Sequence, residues 1–331
     1  MNHHIAKGGH LSAQPMGALR DFVARDPRSD APAVVNFPVC DDNPYLVDVA
    51  ATRELIARER PELVILGRSM VLHREPVAEI RAFLTEQGSD ALVLYDAAHV
   101  LGLLGPYFQE PFAEGADLVS GSTHKTFFGT QRGVVGGRFV ETDERYELWE
   151  ALRRRAFPGA VSNHHLGTLL GLLFATYEMR AFRDTYQPQV LANAKAFARA
   201  LHDAGLDVQG DPAVDFSETH QVVVKVGYGR GHEMAARLEA SNVLCNYQGL
   251  PDEEAFTAAG GLRLGVAEMT RFGMRQDDFG ELAGLIADVI CRDAVVKAQV
   301  SDLRGRFAEL QFCFGAEELG GQLDELAAFL R

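Results

Sequence analysis

The sequence is poor in cysteine and positive charge and has no long apolar run, and each scarcity excludes a class of protein. Four cysteines, Cys40, Cys245, Cys291 and Cys313, are scattered through 331 residues, which fits reduced thiols better than a disulfide framework. A formal net charge of −14 argues against binding to nucleic acid or to an anionic membrane. No apolar run approaches a membrane span, and residues 1–10 lack a signal peptide's apolar core. We therefore expect a cytoplasmic protein.

Two pairs of adjacent histidines, His3–His4 and His164–His165, raise the question of a metal site. Neighbouring side chains on one strand or helix point apart, and no carboxylate or cysteine stands at ligand spacing from either pair. We therefore predict no bound metal.

The first half of the chain alternates short apolar runs with amphipathic stretches. Strands are predicted at AVVNFPV, ELVILG and ALVLYD, and helices at TRELIARERP and PVAEIRAFLTEQG. This alternation is typical of a parallel sheet with crossover helices. Residues 1–180 are therefore predicted to form most of an α/β domain.

The second half shows a different pattern. YELWEALRRRAFPG and HHLGTLLGLLFATYEMRAF are predicted helices, the second packed on the sheet or on a subunit, and a separate helix, TYQPQVLANAKAFARALHDAG, follows. Beyond it, the strands THQVVVKV and GLRLGV and the helices GHEMAARLEASN and DDFGELAGLIADVICR indicate a smaller α+β domain over residues 181–331.

Two predicted strands end close to residues that could bind the same cofactor. The strand at 91–95 ends on Asp96, with His99 three residues later, and the strand at 118–121 leads into Lys125. A desolvated lysine can carry pyridoxal phosphate (PLP) as a Schiff base, and an acid can keep the pyridine nitrogen of PLP protonated. Asp96 could instead cap a helix and Lys125 could be a surface lysine, but the two strand ends together favour the cofactor.

Five motifs, in order along the chain, resemble those of serine hydroxymethyltransferases, which are fold-type I PLP enzymes. They are GGHLS at 8–12, ILGRS at 65–69, DAAHVLGL at 96–103, STHKTFFGTQRGVVGG at 122–137 and GLRLGVAEMTRFGM at 261–274. The resemblance implies a mostly parallel large domain, a smaller α+β C-terminal domain and PLP as the cofactor. It also implies that Lys125 holds PLP, that Asp96 pairs with the pyridine nitrogen, and that His99 acts beside them.

The same resemblance implies the binding residues. His10 would stack on the PLP ring, and Ser69 would contact its phenolic oxygen. Ser122 and His124, which precede the lysine, would also lie at the cofactor. Arg263 would hold the carboxylate of an amino-acid substrate.

The family reaction is aldol-type transfer at the α-carbon of a β-hydroxy amino acid, and it requires an acceptor. Tetrahydrofolate is one acceptor that the resemblance allows. The runs FPGAVSNHHLG and CNYQGLPDEEAF differ from those of folate-using members and look more like the branch of threonine transaldolases and α-methylserine enzymes. The acceptor differs in that branch, so transaldolation to an aldehyde acceptor is the alternative. A non-catalytic subunit of a PLP enzyme complex is the alternative from another class.

The family carries a further segment ahead of the GGHL motif, with a Ser-Gly-Ser helix start that binds the cofactor phosphate. No counterpart of this segment stands before Gly8. A helix N-terminus is a natural phosphate site, so we expect the site to be completed by another chain. That chain would be a second copy in a homodimer or a short companion supplying the segment; a truncated sequence is the other explanation.

Overall fold

The computed structural model describes residues 1–17, 19–253 and 258–329. Its first sheet has the order β1-β2-β3-β4, with strands β1 (Leu63–Leu66), β2 (Leu92–Asp96), β3 (Leu118–His124) and β4 (Phe128–Gly137). The first three strands are parallel, and β4 returns antiparallel along β3. The strands predicted at ELVILG and ALVLYD are therefore confirmed, whereas β4 was not predicted.

Both predicted helices form, but only one of them, α2, connects two parallel strands. Helix α1 (Val49–Glu59) begins where the Asp48 side chain accepts a hydrogen bond from the Ala51 N–H, and α2 (Val77–Glu86) lies between β1 and β2. The strand predicted at AVVNFPV is wrong. Within that run the chain forms only isolated bridges, Asn2 with Asn36 and Val39 with Val47, among the described residues.

Two helices follow the first sheet. Helix α3 (Tyr146–Arg154) runs into a π-helical segment, Arg155–Ala160, and α4 extends from Leu166 to Asp203. The prediction of two separate helices over this stretch is wrong, because α4 continues through Pro188. Proline removes one helical donor, but tertiary packing holds this helix together: Gln187 donates to the carbonyl oxygens of Gly102 and Leu104.

The second sheet has the order β5-β6-β8-β7 and is antiparallel throughout. Its strands are β5 (Asp207–Val208), β6 (Gln221–Lys225), β7 (Asn246–Gln248) and β8 (Gly261–Gly265). The helices around it are α5 (Gly231–Ala240), α6 (Ala267–Arg271), α7 (Gln276–Arg292), α8 (Lys297–Gly305) and α9 (Ala316–Phe329). The predicted strands β6 and β8 and helices α5 and α7 are confirmed, and the short strands β5 and β7 were missed.

One apolar cluster runs from the first sheet, through α4, into the second sheet. Buried polar contacts cross the same boundary: Asn193 on α4 donates to the Thr270 hydroxyl at 2.8 Å and to the Met274 carbonyl at 2.9 Å. The mixed α/β architecture, parallel in the first sheet, confirms the predicted fold class. The division at residue 180 falls inside α4 and stays a prediction.

Four short 3-10 helices complete the backbone, at Ile5–Lys7, Leu11–Ala13, Leu101–Leu103 and Pro212–Val214. Across the described ranges, none of the helices is both long and apolar enough to span a membrane.

Candidate active site

Asp96 is the last residue of β2, and its carboxylate is buried with only 9% of the residue exposed. One oxygen, Oδ1, accepts a hydrogen bond from the Ala98 N–H at 3.0 Å, and Oδ2 lies 2.8 Å from His10 Nδ1. Gly67 lies directly against this strand end at a φ of +101°, where a Cβ would collide with the Asp96 carbonyl oxygen. The backbone therefore brings β1 and β2 close together at the acid.

Lys125 lies in the tight turn between β3 and β4. Its Nζ donates to Ser122 Oγ at 2.8 Å. Partial burial, reinforced by the charge of Arg263 and opposed by that of Asp96, lowers the pKa of the Lys125 amine. Since a neutral amine is the nucleophile, this shift favours a covalent role.

Thr126, the residue after Lys125, links the turn between β3 and β4 to the turn after β2 by hydrogen bonds. Its hydroxyl donates to the His99 carbonyl oxygen at 3.0 Å and accepts from the Gly102 N–H at 3.0 Å. A Cβ at Gly102 would collide with the Thr126 backbone, so the two loops are in direct contact. The fold thus couples the position of Lys125 to that of His99.

The His10 and His99 rings meet edge to face, with centroids 5.7 Å apart. Burial, joined by the positive charges of Arg263 and Lys125, lowers the pKa of His99 to about 2. The His99 imidazole is therefore neutral at physiological pH. A neutral imidazole both donates and accepts hydrogen bonds, which suits a contact with a phenolic oxygen or a substrate hydroxyl.

Ser69 lies in the loop after β1, Arg263 lies in β8 of the second sheet, and a hydrogen bond joins them. Arg263 Nη1 donates to the Ser69 carbonyl oxygen at 3.1 Å, and Gln221 Nε2 donates to the same oxygen at 3.0 Å. Burial lowers the pKa of the Arg263 guanidinium, although such a group stays charged. A half-buried cation beside His99 and Lys125 is a suitable partner for a carboxylate.

The structure therefore brings together Asp96, His10, His99, Lys125, Ser122, Ser69 and Arg263. His124 is less well integrated. It ends β3 opposite Phe128 and its side chain is exposed. Its predicted place at the cofactor stays a prediction.

Sequence reasoning missed His220, a buried residue just before β6. Its Nδ1 has no hydrogen-bond partner among the described residues, and burial together with the Arg263 charge lowers its pKa to about 3. The signal that could have found it is the pairing of β6 with β8, in which Gln221 faces Gly265 and Val223 faces Arg263. His220 directly precedes Gln221, and its carbonyl accepts from the N–H of Val266, three residues after Arg263.

These residues fit PLP. A buried carboxylate at a strand end suits the pyridine nitrogen, a lysine of lowered pKa suits the aldehyde carbon, and His10, in contact with His99, lies against the acid. The mostly parallel sheet, with the acid at the carboxyl end of β2 and the lysine in the turn after β3, defines an enzyme of the fold-type I PLP class.

Comparisons with known proteins agree. The sequence profile of the serine hydroxymethyltransferase family matches residues 1–286. The serine hydroxymethyltransferase of Archaeoglobus fulgidus is 40% identical over 327 residues, which cover 96% of this chain and 70% of the relative. That of Korarchaeum cryptofilum is 40% identical over 320 residues, covering 94% and 72%. Among solved structures, L-threonine transaldolase from Pseudomonas fluorescens superposes with a TM-score of 0.81 at 31% identity, covering 96% and 70%.

The chain belongs to the serine hydroxymethyltransferase family. It is an enzyme of the PLP-dependent transferase kind, and PLP is its cofactor.

Proposed function

We propose that this chain catalyses aldol-type transfer at the α-carbon of a β-hydroxy amino acid. The observation that carries the proposal is the meeting of Lys125, Asp96 and Arg263 around the neutral His99. Together these groups can bind a cofactor aldehyde, a pyridine nitrogen and an amino-acid carboxylate. Each role given to a residue below is part of the proposal.

PLP, when bound, supplies an electron sink for the electron pair left at the α-carbon. Asp96 keeps a proton at the pyridine nitrogen, because a carboxylate stabilises the cationic form of that ring. Lys125 holds the cofactor between turnovers. His10 covers the ring, and the hydrogen bond to Asp96 fixes its orientation.

Arg263 orients the amino acid by its carboxylate, for which the planar guanidinium offers two parallel donors. The β-hydroxyl then gives its proton to a base, for which the neutral His99 imidazole is the candidate, while the bond between the α- and β-carbons breaks, its electron pair stays on the α-carbon, and an aldehyde leaves. The electron pair stays at the α-carbon until it takes up a proton or attacks an acceptor. His99 is the group best placed to contact the oxygens involved.

Two acceptors are candidates. Tetrahydrofolate is the acceptor that the resemblance to serine hydroxymethyltransferases allows. A second aldehyde is the other candidate, and the structural similarity to an L-threonine transaldolase favours it. The chain's departures at FPGAVSNHHLG and CNYQGLPDEEAF point the same way, although residues 254–257 of the second run lie outside the described residues.

The deciding experiment gives the PLP-loaded protein L-threonine with an aromatic aldehyde in one arm and L-serine with tetrahydrofolate in the other. Release of acetaldehyde that depends on the aromatic aldehyde identifies a transaldolase, and formation of methylenetetrahydrofolate identifies a hydroxymethyltransferase. Lys125→Ala is the matched control for both arms. Absence of both products, with PLP bound, would favour a non-catalytic subunit instead.

We also propose that another chain completes the site. Apolar side chains at helical spacing on α4, Leu166, Leu169, Leu173 and Tyr177, are 46–71% exposed. The outer edge of β4 pairs with no strand in the described part of the chain. Val134 and Val135, two adjacent residues of β4, are 42% and 50% exposed. Exposed apolar surface of this kind marks an interaction site.

The partner is a second copy in a homodimer or a short companion chain. Light scattering after size exclusion distinguishes them, because a dimer doubles the 36.2 kDa mass and a companion adds a smaller increment. A monodisperse monomer with full activity would refute both.

The four free cysteines and the family's chemistry support a cytoplasmic location, which we propose. We also propose that the chain divides into two domains, at residues 1–180 and 181–331.

A further inference from the structure

A buried group of three side chains lies behind the candidate site and takes no part in the roles proposed above. Arg68 Nε donates to Glu75 Oε1 at 2.8 Å and its Nη2 to Oε2 at 3.4 Å, while His3 Nε2 lies 3.0 Å from Oε2. His3, Arg68 and Glu75 are each exposed by 4% or less. These residues form what we call the Arg68 cluster.

The cluster joins the two segments that carry His10 and Ser69. Arg68 forms an antiparallel bridge with Gly9, and the Ser69 N–H donates to the Gly8 carbonyl at 2.8 Å. His10 follows Gly9 directly, and Ser69 follows Arg68. A shift of the Arg68 side chain would therefore move both residues together.

A third connection leads to the acid. Gln109 Oε1 accepts from the Glu75 N–H at 3.1 Å and from the Tyr95 hydroxyl at 3.0 Å, and its Nε2 donates to the Glu75 carbonyl at 2.6 Å. Tyr95 immediately precedes Asp96 on β2. The cluster thus connects to the segments that carry His10 and Ser69, and through Gln109 and the Tyr95 hydroxyl to the strand that ends on Asp96.

The Glu75 carboxylate keeps its negative charge although it is buried. Burial raises the pKa of Glu75, but the Arg68 charge and the contact with His3 outweigh it, and the pKa falls to about 2. Burial and the Arg68 charge lower the pKa of His3, against the opposing effect of Glu75. Because apolar residues of similar size often replace a buried ion pair at no loss of stability, fold stability alone gives little reason for this arrangement.

We propose that the Arg68 cluster is a positioning device that holds Ser69 and His10 in place for PLP. This deepens the proposed function, and it rests on the assignment of PLP to the site rather than on which amino acid or acceptor reacts. None of the three side chains is proposed to touch the cofactor.

The test uses the full chain and the double variant Arg68→Met/Glu75→Leu, which removes both charges and keeps apolar bulk. Its matched control is Arg81→Met/Asp117→Leu, which removes an ion pair near the opposite ends of β2 and β3. Three quantities are measured: the urea midpoint of unfolding, amide exchange in segments 8–10 and 67–70, and the dissociation constant for added PLP.

We expect the double variant to unfold at a midpoint no lower than the control's. Exchange in the two segments should accelerate only in the double variant. The PLP dissociation constant should rise on the order of tenfold, as when groups behind a ligand are removed. Unchanged exchange and unchanged PLP affinity would overturn the inference.

Two single variants keep the test decisive if the double variant does not fold. Glu75→Gln retains the size of the side chain and should reproduce the faster exchange, whereas Arg68→Lys retains the charge and should fall between it and the native protein. A native chain that binds no PLP by itself would agree with a site completed by another chain, and the exchange comparison would still decide the role of the cluster.

Discussion

Replacing Asp96 with asparagine should remove most activity and leave the fold intact. Asparagine has the same shape, and its Oδ1 can still accept the Ala98 N–H that Asp96 binds at 3.0 Å. What it loses is the charge on Oδ2, which faces His10 and, in the proposed site, the pyridine nitrogen. A hydrogen bond to a charged group contributes about 1.5–3 kcal/mol, and about 1.4 kcal/mol corresponds to a factor of ten. PLP binding should therefore weaken about ten- to hundredfold.

The loss of turnover should be larger, because a neutral amide cannot keep the pyridine nitrogen protonated and the electron sink is weakened. Absorbance titration with PLP, steady-state rates and urea unfolding measure the three effects on one preparation. Asp117→Asn, at the other end of the sheet, is the control: it should lower stability, because Asp117 bonds Arg81 and the Val93 N–H, without altering the PLP spectrum. Near-normal turnover by Asp96→Asn would refute the role of the acid.

Three further predictions concern other groups of the site. Borohydride reduction of the PLP-loaded protein should label Lys125, and peptide mapping that finds the label on another lysine would remove its assignment. Arg263→Lys should raise KM for the amino acid by roughly tenfold or more, with a smaller effect on kcat, because an ammonium cannot form the paired donors of a guanidinium; an unchanged KM would exclude a carboxylate contact. Burial and the Arg263 charge lower the pKa of His220 in the folded chain to about 3, whereas the pKa of a free imidazole is 6.5. Between pH 3 and pH 6.5, unfolding therefore takes up a proton at this residue. Stability should consequently fall as pH drops from 6.5 towards 3, by up to about 1.4 kcal/mol per pH unit from this residue, and urea titrations of His220→Gln should show a shallower fall.

The parts of the fold that were predictable are those set by local pattern. Continuous apolar runs mark β1 and β2, and amphipathic stretches mark the helices α1 and α2. Asp96 was located because it ends such a run. The resemblance to the family added His10, Ser69 and Arg263, which no periodicity indicates.

The parts that were missed depend on contacts distant in sequence. Strand β4 reads FGTQRGVVGG, which is rich in glycine and polar residues and becomes a strand only by pairing along β3. Helix α4 continues through Pro188 because buried contacts compensate for the missing donor. His220 approaches the site through a strand pair whose members are about forty residues apart. Local propensity contains none of this information.

Burial across the site is asymmetric, and the asymmetry connects the proposed chemistry to the proposed assembly. Asp96 and His220 are buried, whereas Lys125 lies in an exposed hairpin turn. The same hairpin continues into β4, which has the open edge and the exposed Val134 and Val135. A chain that covered this edge would also remove water from the lysine side of the site. Because desolvation lowers the pKa of an amine, such a partner would activate Lys125 without contacting it, so the catalytic and assembly proposals share one structural element.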